Sequence, residues 1–349
     1  MSRDAETKRE PAPDGILYLA RRDVLSVLAT IDPVPVVRRA LELHGGGDTL
    51  LPAEAYLGWS TAAGNGARSL SMPGGLDGGD AGLGVKVINS SLSNLGRGLP
   101  RASGLTLLFE RETARIRCVL EAAEISALRT ACVSLVSAEA FAASSARRLA
   151  LVGAGVLARA HLKLLAERLS SLEEVRLFDV EPDRAAALAA EAFGLFGGRI
   201  RVAGSAREAI EAADLVVTVT TTTSGYVEPE WLAEGAVLVH VSLDDALPEV
   251  VLRSDRVFVD DWDLVRADGR RLLGRMWHEG LLVEPDGTGS GKRVDGEIGE
   301  VLVGGKPGRL READVVFVNP FGMAIEDVAL AQAVYEQAAR IGIGEVLER

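Results

Sequence analysis

An α/β fold follows from three observations. An apolar segment runs into a glycine turn, a helical segment and a second apolar segment ending in an acid, over Arg148 to Asp179. Apolar strands and helical segments then alternate through the centre of the chain, which gives a parallel sheet with right-handed crossovers. The first third instead carries short strands linked by turns, which give a mostly antiparallel sheet. The predicted architecture is a Rossmann-type parallel domain inserted in an α+β domain. The α+β domain has a first part over 15–128, the Rossmann domain covers 129–312, and the chain returns to the first domain over 313–349.

In chain order, Ile16–Leu19 is a short strand, and apolar residues recur at helical spacing over 21–30 and 33–44. Asp32-Pro33 is a helix start, an N-cap acid before a proline whose missing N–H costs nothing there. Strands follow at 69–72, 82–89, 104–110 and 116–121, with turn signals at Gly74-Gly75 and Glu112-Thr113. The alanine-rich stretch Ile125–Ala146 reads as a long helix. The Rossmann strands are placed at 149–153, 175–179, 215–220, 237–241 and 256–260, with helices over 156–169, 181–194 and 206–212. Pro285–Gly291 is a glycine-rich loop, and Gly296–Val303 a helix ending at Gly304-Gly305. Val315–Val318 is a strand, and Ala324–Ile341 an amphipathic helix expected to return to the first domain.

The glycine turn is Gly153-x-Gly155-x-x-Ala158. Such a turn needs a first glycine for its tight bend and a second so that backbone can approach a pyrophosphate. A small third residue lets the helix pack on the strand. The open N–H groups of the helix N-terminus favour phosphate. Asp179, at the tip of the next strand, accepts hydrogen bonds from a ribose diol and repels a 2′-phosphate, so NAD is expected rather than NADP.

Bulk properties narrow the partners. The 349 residues suggest about two domains. Hydrophobic residues make up 48% and charged residues 25%, the balance of a soluble globular chain. A net charge of −12 argues against nucleic acid and anionic membranes. No apolar run has membrane-spanning length, and Met1–Asp14 is polar, with no hydrophobic signal segment. A cytoplasmic protein with a frayed N-terminal tail is expected. Cys118 and Cys132 offer neither a disulfide framework nor a zinc site, and read as buried thiols.

Several residues could carry chemistry. Lys86 sits in the apolar strand Gly82–Asn89. It is either an outward-facing lysine or a cation for a substrate carboxylate, because burying it without a partner is costly. Arg129 suits a carboxylate through its planar fork; a surface salt bridge is the competing explanation. The run Thr218-Val-Thr-Thr-Thr-Thr223 and the segment Val239–Asp245 end predicted strands, where doubly wound sheets bind ligands. Asp244 and Asp245 therefore end at that crevice, one of them as acid or base; strand alternation sends their side chains in different directions, so only one is expected to reach substrate while the other supports the loop. Asp260-Asp261-Trp-Asp263 offers carboxylates but no nearby histidine, and no metal is expected.

These pieces together resemble the ornithine cyclodeaminase/μ-crystallin family. The resemblance is carried by Val85-Lys-Val-Ile-Asn89, Gly98-Leu-Pro100, Ala127-Leu-Arg-Thr130, the glycine turn, Ser242-Leu-Asp-Asp245 and Phe321-Gly-Met-Ala-Ile-Glu-Asp327. It implies a substrate and dimerisation domain built from both chain ends, a central NAD(P) domain and a homodimer. Leu51–Trp59, Arg97–Ser103 and Pro320-Phe-Gly322 further resemble a subgroup of siderophore-pathway dehydrogenases acting on N-(2-amino-2-carboxyethyl)-L-glutamate. That likeness implies oxidation of the secondary amine to an imine, then hydrolysis to 2,3-diaminopropionate and 2-oxoglutarate. By resemblance Asp245 is the acid/base and Lys86 shares the catalytic site. Lys86, Arg129 and Arg101 would hold substrate, and Gly153, Gly155, Val156, Leu157, Asp179, Thr220, Ser242 and Arg129 would hold NAD. The chain departs from the cyclodeaminases where Leu243 and Asp244 precede Asp245 and Glu249 replaces a lysine. Ornithine or lysine cyclodeaminase, amino acid dehydrogenase and imine reductase are alternative enzymes. A non-catalytic NAD(P)-dependent binding protein of crystallin type is the alternative of another class. The joint presence of Lys86, Arg129 and Asp245 argues for an enzyme.

Overall fold

The computed structural model describes residues 15–77, 82–142, 146–194 and 196–348. The expected N-terminal tail, Met1–Asp14, lies outside these residues. The chain forms two compact units. The first takes its residues from Met1–Leu43, Gly47–Arg129 and Met323–Arg349, the second from His44–Gly46 and Thr130–Gly322.

The first unit is built on one sheet. Its strands lie in the order Glu345–Glu348, Gly15–Leu19, Ile116–Glu121, Ala102–Phe109, Gly82–Ser90, Gly66–Leu76 and Thr49–Leu50, with Ala55–Ser60 also paired to Gly66–Leu76. Every pairing is antiparallel except that of Gly15–Leu19 with Ile116–Glu121. The helix Ala324–Ile341 packs on one face, across the strands Gly66–Leu76, Gly82–Ser90 and Ala102–Phe109. Gly74 permits this close approach, since a Cβ there would come 2.9 Å from the Cβ of Ala324. Leu19, Val24, Val27, Leu108, Leu120, Ile125, Val328 and Val334 fill the core beneath the helix. On the other face, Leu83, Val85, Val87, Leu107 and Val119 are only half-buried and Leu105 is exposed.

The second unit is a doubly wound parallel sheet. Its strands lie in the order Arg199–Val202, Glu174–Phe178, Arg148–Val152, Leu215–Thr218, Val237–His240, Val316–Asn319, Arg256–Val259 and Gly296–Glu297. All pair in parallel. Leu215–Thr218, Val237–His240 and Val316–Asn319 are buried at every position, as strands covered on both faces must be.

Some expected elements differ. Gly296 and Glu297 form an edge strand, not a helical turn. The helix begins only at Ile298, because the Glu300 carboxylate accepts the Glu297 N–H at 2.9 Å and makes Glu297 its N-cap. The alanine-rich helix spans Ala123–Phe141 rather than reaching Ala146, and 143–145 lie outside the described residues. Three short helices, Pro248–Arg253, Trp262–Ala267 and Leu272–His278, carry too few turns to register as periodic. At Asp32-Pro33 the Asp32 carboxylate accepts the Val34 N–H at 3.1 Å at the head of Pro33–Gly45. No helix among the described residues is long and apolar enough to cross a membrane.

Candidate active site

The glycine turn joins the strand Arg148–Val152 to the helix Val156–Arg168. Gly153 has φ +101°, and a Cβ there would lie 2.9 Å from the Val219 carbonyl oxygen, so both conformation and space require glycine. Gly155 is exposed, and no atom stands within 4 Å of where its Cβ would be. That open space beside the backbone, at the head of a helix whose first internal bond is Arg159 N–H to Gly155 C=O, fits a pyrophosphate. Val156 is exposed in the first helical turn, Leu157 is half-buried and Ala158 is fully buried. Asp179 follows the strand Glu174–Phe178. It accepts the Ala154 N–H at 2.7 Å and the Glu181 N–H at 2.9 Å, which fixes the carboxylate against the turn.

Asp245 is the hub of the second polar group in this unit. It is 0% exposed. Its Oδ1 accepts the hydroxyls of Thr220 at 2.7 Å and Tyr226 at 2.8 Å, and its Oδ2 accepts the hydroxyl of Ser242. Its own N–H and that of Ala246 donate to His240 Nε2 at 2.9 and 3.1 Å. His240 Nε2 is thus an acceptor, Nδ1 carries the hydrogen toward Asn319 Oδ1 at 3.2 Å, and the ring is neutral. Burial pushes the His240 pKa down and so keeps it neutral. Burial, reinforced by the negative charge of Asp245, pushes the Tyr226 phenol up and keeps it protonated. Thr220 and Ser242, expected against the cofactor, both direct their hydroxyl hydrogens to this carboxylate. Tyr226, His240 and Asn319 were not singled out by sequence, because their convergence is tertiary and leaves no spacing signal.

Asp244 has a different environment. The strand ends at His240, and Leu243, with φ +73°, turns the loop so that the two acids diverge. Asp244 is buried against Arg271 at 2.6 Å and Arg275 at 3.1 Å. The two acids are therefore separated, as strand alternation leads one to expect: Asp244 ties down the loop, and Asp245 is enclosed by hydroxyls.

The first unit holds a buried charge cluster. Lys86, 1% exposed, points inward rather than out of the sheet. Its Nζ lies 2.5 Å from Asp327 Oδ2 and 3.4 Å from Ser126 Oγ. Arg129 Nη1 lies 2.5 Å from Glu326 Oε2, and its Nε 3.2 Å from Asp327 Oδ2. Asp327 thus bridges both cations, and the charge of Glu54 also acts on Lys86. Burial is the largest influence on Lys86 and pushes its pKa down, against the pull of Asp327. Glu326 and Asp327 stand in the sequence motif without an assigned role; two acids in the first turn of an amphipathic helix, among residues that are buried, are the available signal. Arg101 lies apart. It precedes the strand Ala102–Phe109, five residues from Thr106, the partner of Lys86, or roughly 17 Å along the ladder.

The acidic segment at Asp260 acquires the histidine that its sequence neighbourhood lacks, which corrects that reading. His44 Nε2 lies 3.1 Å from Asp261 Oδ2 and 3.7 Å from Glu297 Oε2. Burial works to lower the His44 pKa, but the hydrogen bond to Asp261 and the charge of Glu297 prevail, and the pKa is raised. The remaining carboxylate oxygens accept backbone N–H groups, Asp261 Oδ1 from Leu264 at 2.6 Å and Glu297 Oε1 from Trp262 at 2.9 Å. The trio is geometrically able to surround a cation.

Comparison with known proteins adds four findings. The family described as ornithine cyclodeaminase/mu-crystallin matches residues 32–341. N-((2S)-2-amino-2-carboxyethyl)-L-glutamate dehydrogenase of Staphylococcus aureus (strain NCTC 8325 / PS 47) is 31% identical over 338 residues, covering 95% of this chain and 98% of that protein. Among solved structures, CmnK is similar with a TM-score of 0.87 and 38% identity, covering 96% of this chain and 98% of CmnK. An archaeal alanine dehydrogenase dimer with bound NAD has a TM-score of 0.83 and 26% identity, covering 96% of this chain and 99% of that one.

Proposed function

The chain belongs to the ornithine cyclodeaminase/mu-crystallin family, and from that premise we propose that it oxidises N-(2-amino-2-carboxyethyl)-L-glutamate to 2,3-diaminopropionate and 2-oxoglutarate. The full-length likeness to the dehydrogenase of that name carries the choice of substrate. The chain is an NAD-dependent enzyme acting on an amino acid, and the open backbone at Gly155 fits the dinucleotide.

NAD, held along the Gly153–Gly155 turn and beside Asp179, would supply the acceptor for a hydride from the carbon bearing the secondary nitrogen. The residues of the chain must position that carbon and manage the proton. The nitrogen has to be uncharged to release the hydride, so its ammonium proton must leave first. Asp245 is the proton acceptor in this reading, because it is a carboxylate already connected by hydrogen bonds to three hydroxyls. Water then adds to the imine carbon, and the carbinolamine collapses as the diamine nitrogen takes a proton back. Lys86 and Arg129 hold substrate carboxylates, oriented by Glu326 and Asp327. Arg101 is assigned a more distant carboxylate contact.

NADH formation at 340 nm across amino acids and N-carboxyalkyl amino acids tests the reading. The expected result is a strong signal with N-(2-amino-2-carboxyethyl)-L-glutamate, with 2-oxoglutarate and 2,3-diaminopropionate identified by mass. Turnover confined to ornithine or alanine sinks the substrate assignment. Asp179 predicts the nucleotide: unmodified protein should prefer NAD+ to NADP+, and Asp179→Ser should narrow the preference by about tenfold, near the strength of one hydrogen bond to a charged group. Tighter binding of NADP+ by the unmodified protein would overturn the assignment.

A homodimer completes the proposal. The face formed by half-buried Leu83, Val85, Val87, Leu107 and Val119 and exposed Leu105 is the kind of apolar surface that a second copy covers. Light scattering should give twice the chain mass, and Leu105→Glu should shift it toward the monomer. A monomeric wild type refutes this.

A further inference from the structure

The enclosure of Asp245 has a consequence for how protons reach it. No part of its surface is exposed, and both carboxylate oxygens are occupied by hydroxyl donors from half-buried residues. A proton leaving a substrate nitrogen therefore meets a hydroxyl before it meets the carboxylate. We propose that Tyr226 is a relay residue that passes the substrate's ammonium proton to Asp245. The proposal rests on the reading of Asp245 given above.

Three observations select Tyr226 from the three hydroxyls. Burial and the charge of Asp245 push up any hydroxyl held here, and in the same surroundings a phenol remains a better proton donor than an aliphatic alcohol. Thr220 Oγ1 is further engaged by the Thr222 N–H at 3.2 Å. Tyr226 is also tied to the same loop through its backbone: its N–H and that of Val227 donate to the Asp245 carbonyl at 2.7 and 2.9 Å. Phenol and carboxylate are thus held in register from both ends, which removes most of the reorganisation a transfer would otherwise require.

The step balances. The ammonium N–H bond breaks as its proton binds Tyr226 Oη. In the same motion the Oη–H bond breaks, and that proton binds Asp245 Oδ1. The amine becomes neutral, the carboxylate becomes a carboxylic acid, and the phenol ends as it began. Burial and the hydrogen bond to Asp245 keep the phenol protonated, so no tyrosinate accumulates.

Two protons in flight leave a signature that a purely structural tyrosine does not. Single-turnover hydride transfer is measured in mixtures of H2O and D2O for wild type, Tyr226→Phe, Thr220→Val and Ser242→Ala, with Asp245→Asn alongside. NAD+ affinity and thermal unfolding serve as folding controls. The expected result is a bowed dependence on deuterium fraction in wild type. Tyr226→Phe should be linear and about tenfold or more slower, with NAD+ affinity within twofold, while the Thr220 and Ser242 variants stay bowed. Full rate and a bowed plot in Tyr226→Phe, with Asp245→Asn inactive, overturn the relay alone. Loss of curvature only in the Thr220 or Ser242 variant does the same. Full turnover by Asp245→Asn overturns the relay and the acid/base reading together.

Discussion

Asp245→Asn is expected to lower turnover by about 100-fold or more while leaving NAD+ affinity within twofold, the scale of losing a positioned acid/base group. Asparagine keeps the size of the side chain, and its amide oxygen can still accept from Thr220 and Tyr226, which both donate to Oδ1. The Ser242 hydroxyl can rotate to accept from the new amide NH2. The backbone bonds from Asp245 and Ala246 to His240 do not involve the side chain, so the loop remains in place. Proton acceptance is what the substitution removes. Asp244→Asn is the comparison. It leaves Arg271 and Arg275 facing a neutral group and should cost stability, with turnover per folded molecule retained. Steady-state kinetics beside thermal unfolding separates the two. A dead Asp244 variant and an active Asp245 variant would exchange their roles; two active variants would remove this loop from the chemistry.

What the sequence displays is the part of the molecule governed by local rules. The strand, turn and helix around Gly153 are legible because a positive φ against Val219 forces glycine, and because the strand beside it is buried on both faces and so continuously apolar. The long helix Ala324–Ile341 is legible by period. The hydroxyl cage is not. Thr220, Tyr226 and Ser242 come from two loops at the carboxyl ends of neighbouring strands, Leu215–Thr218 and Val237–His240, and no spacing rule links a tyrosine to an aspartate in the following loop. The divergence of Asp244 from Asp245 is legible as adjacent residues pointing opposite ways, but the left-handed turn at Leu243 beyond the strand end at His240 is not. His44 and Asp261 lie far apart in the chain, so their ion pair is visible only once folded. Lys86 falls between these cases. Its apolar strand signalled burial, but the acids that make burial possible lie on a helix near the other end of the chain.

Those acids set the other large effect. Asp327→Asn should destabilise the protein by about 3–5 kcal/mol, the usual consequence of removing one member of a buried ion pair. Asp327 is 0% exposed and is the carboxylate common to Lys86 and Arg129, so its loss removes the ion pair of Lys86 and one ion pair of Arg129. Against a total stability of about 5–15 kcal/mol that loss is severe, and the variant should melt well below wild type or accumulate poorly. The charge balance predicts a rescue. Lys86→Met combined with Asp327→Leu removes one charge of each sign and leaves Arg129 paired with Glu326. Replacing a buried pair by apolar side chains of similar volume is often neutral or stabilising. The double variant should therefore unfold near the wild-type temperature, yet show a KM for the substrate raised about tenfold or more, because a carboxylate contact is gone. Thermal unfolding and steady-state kinetics on the same preparations read the two effects separately. A double variant that stays as unstable as Asp327→Asn contradicts the charge-balance account of the fold. One that is stable and keeps the wild-type KM leaves Lys86 as a structural cation and removes it from substrate binding.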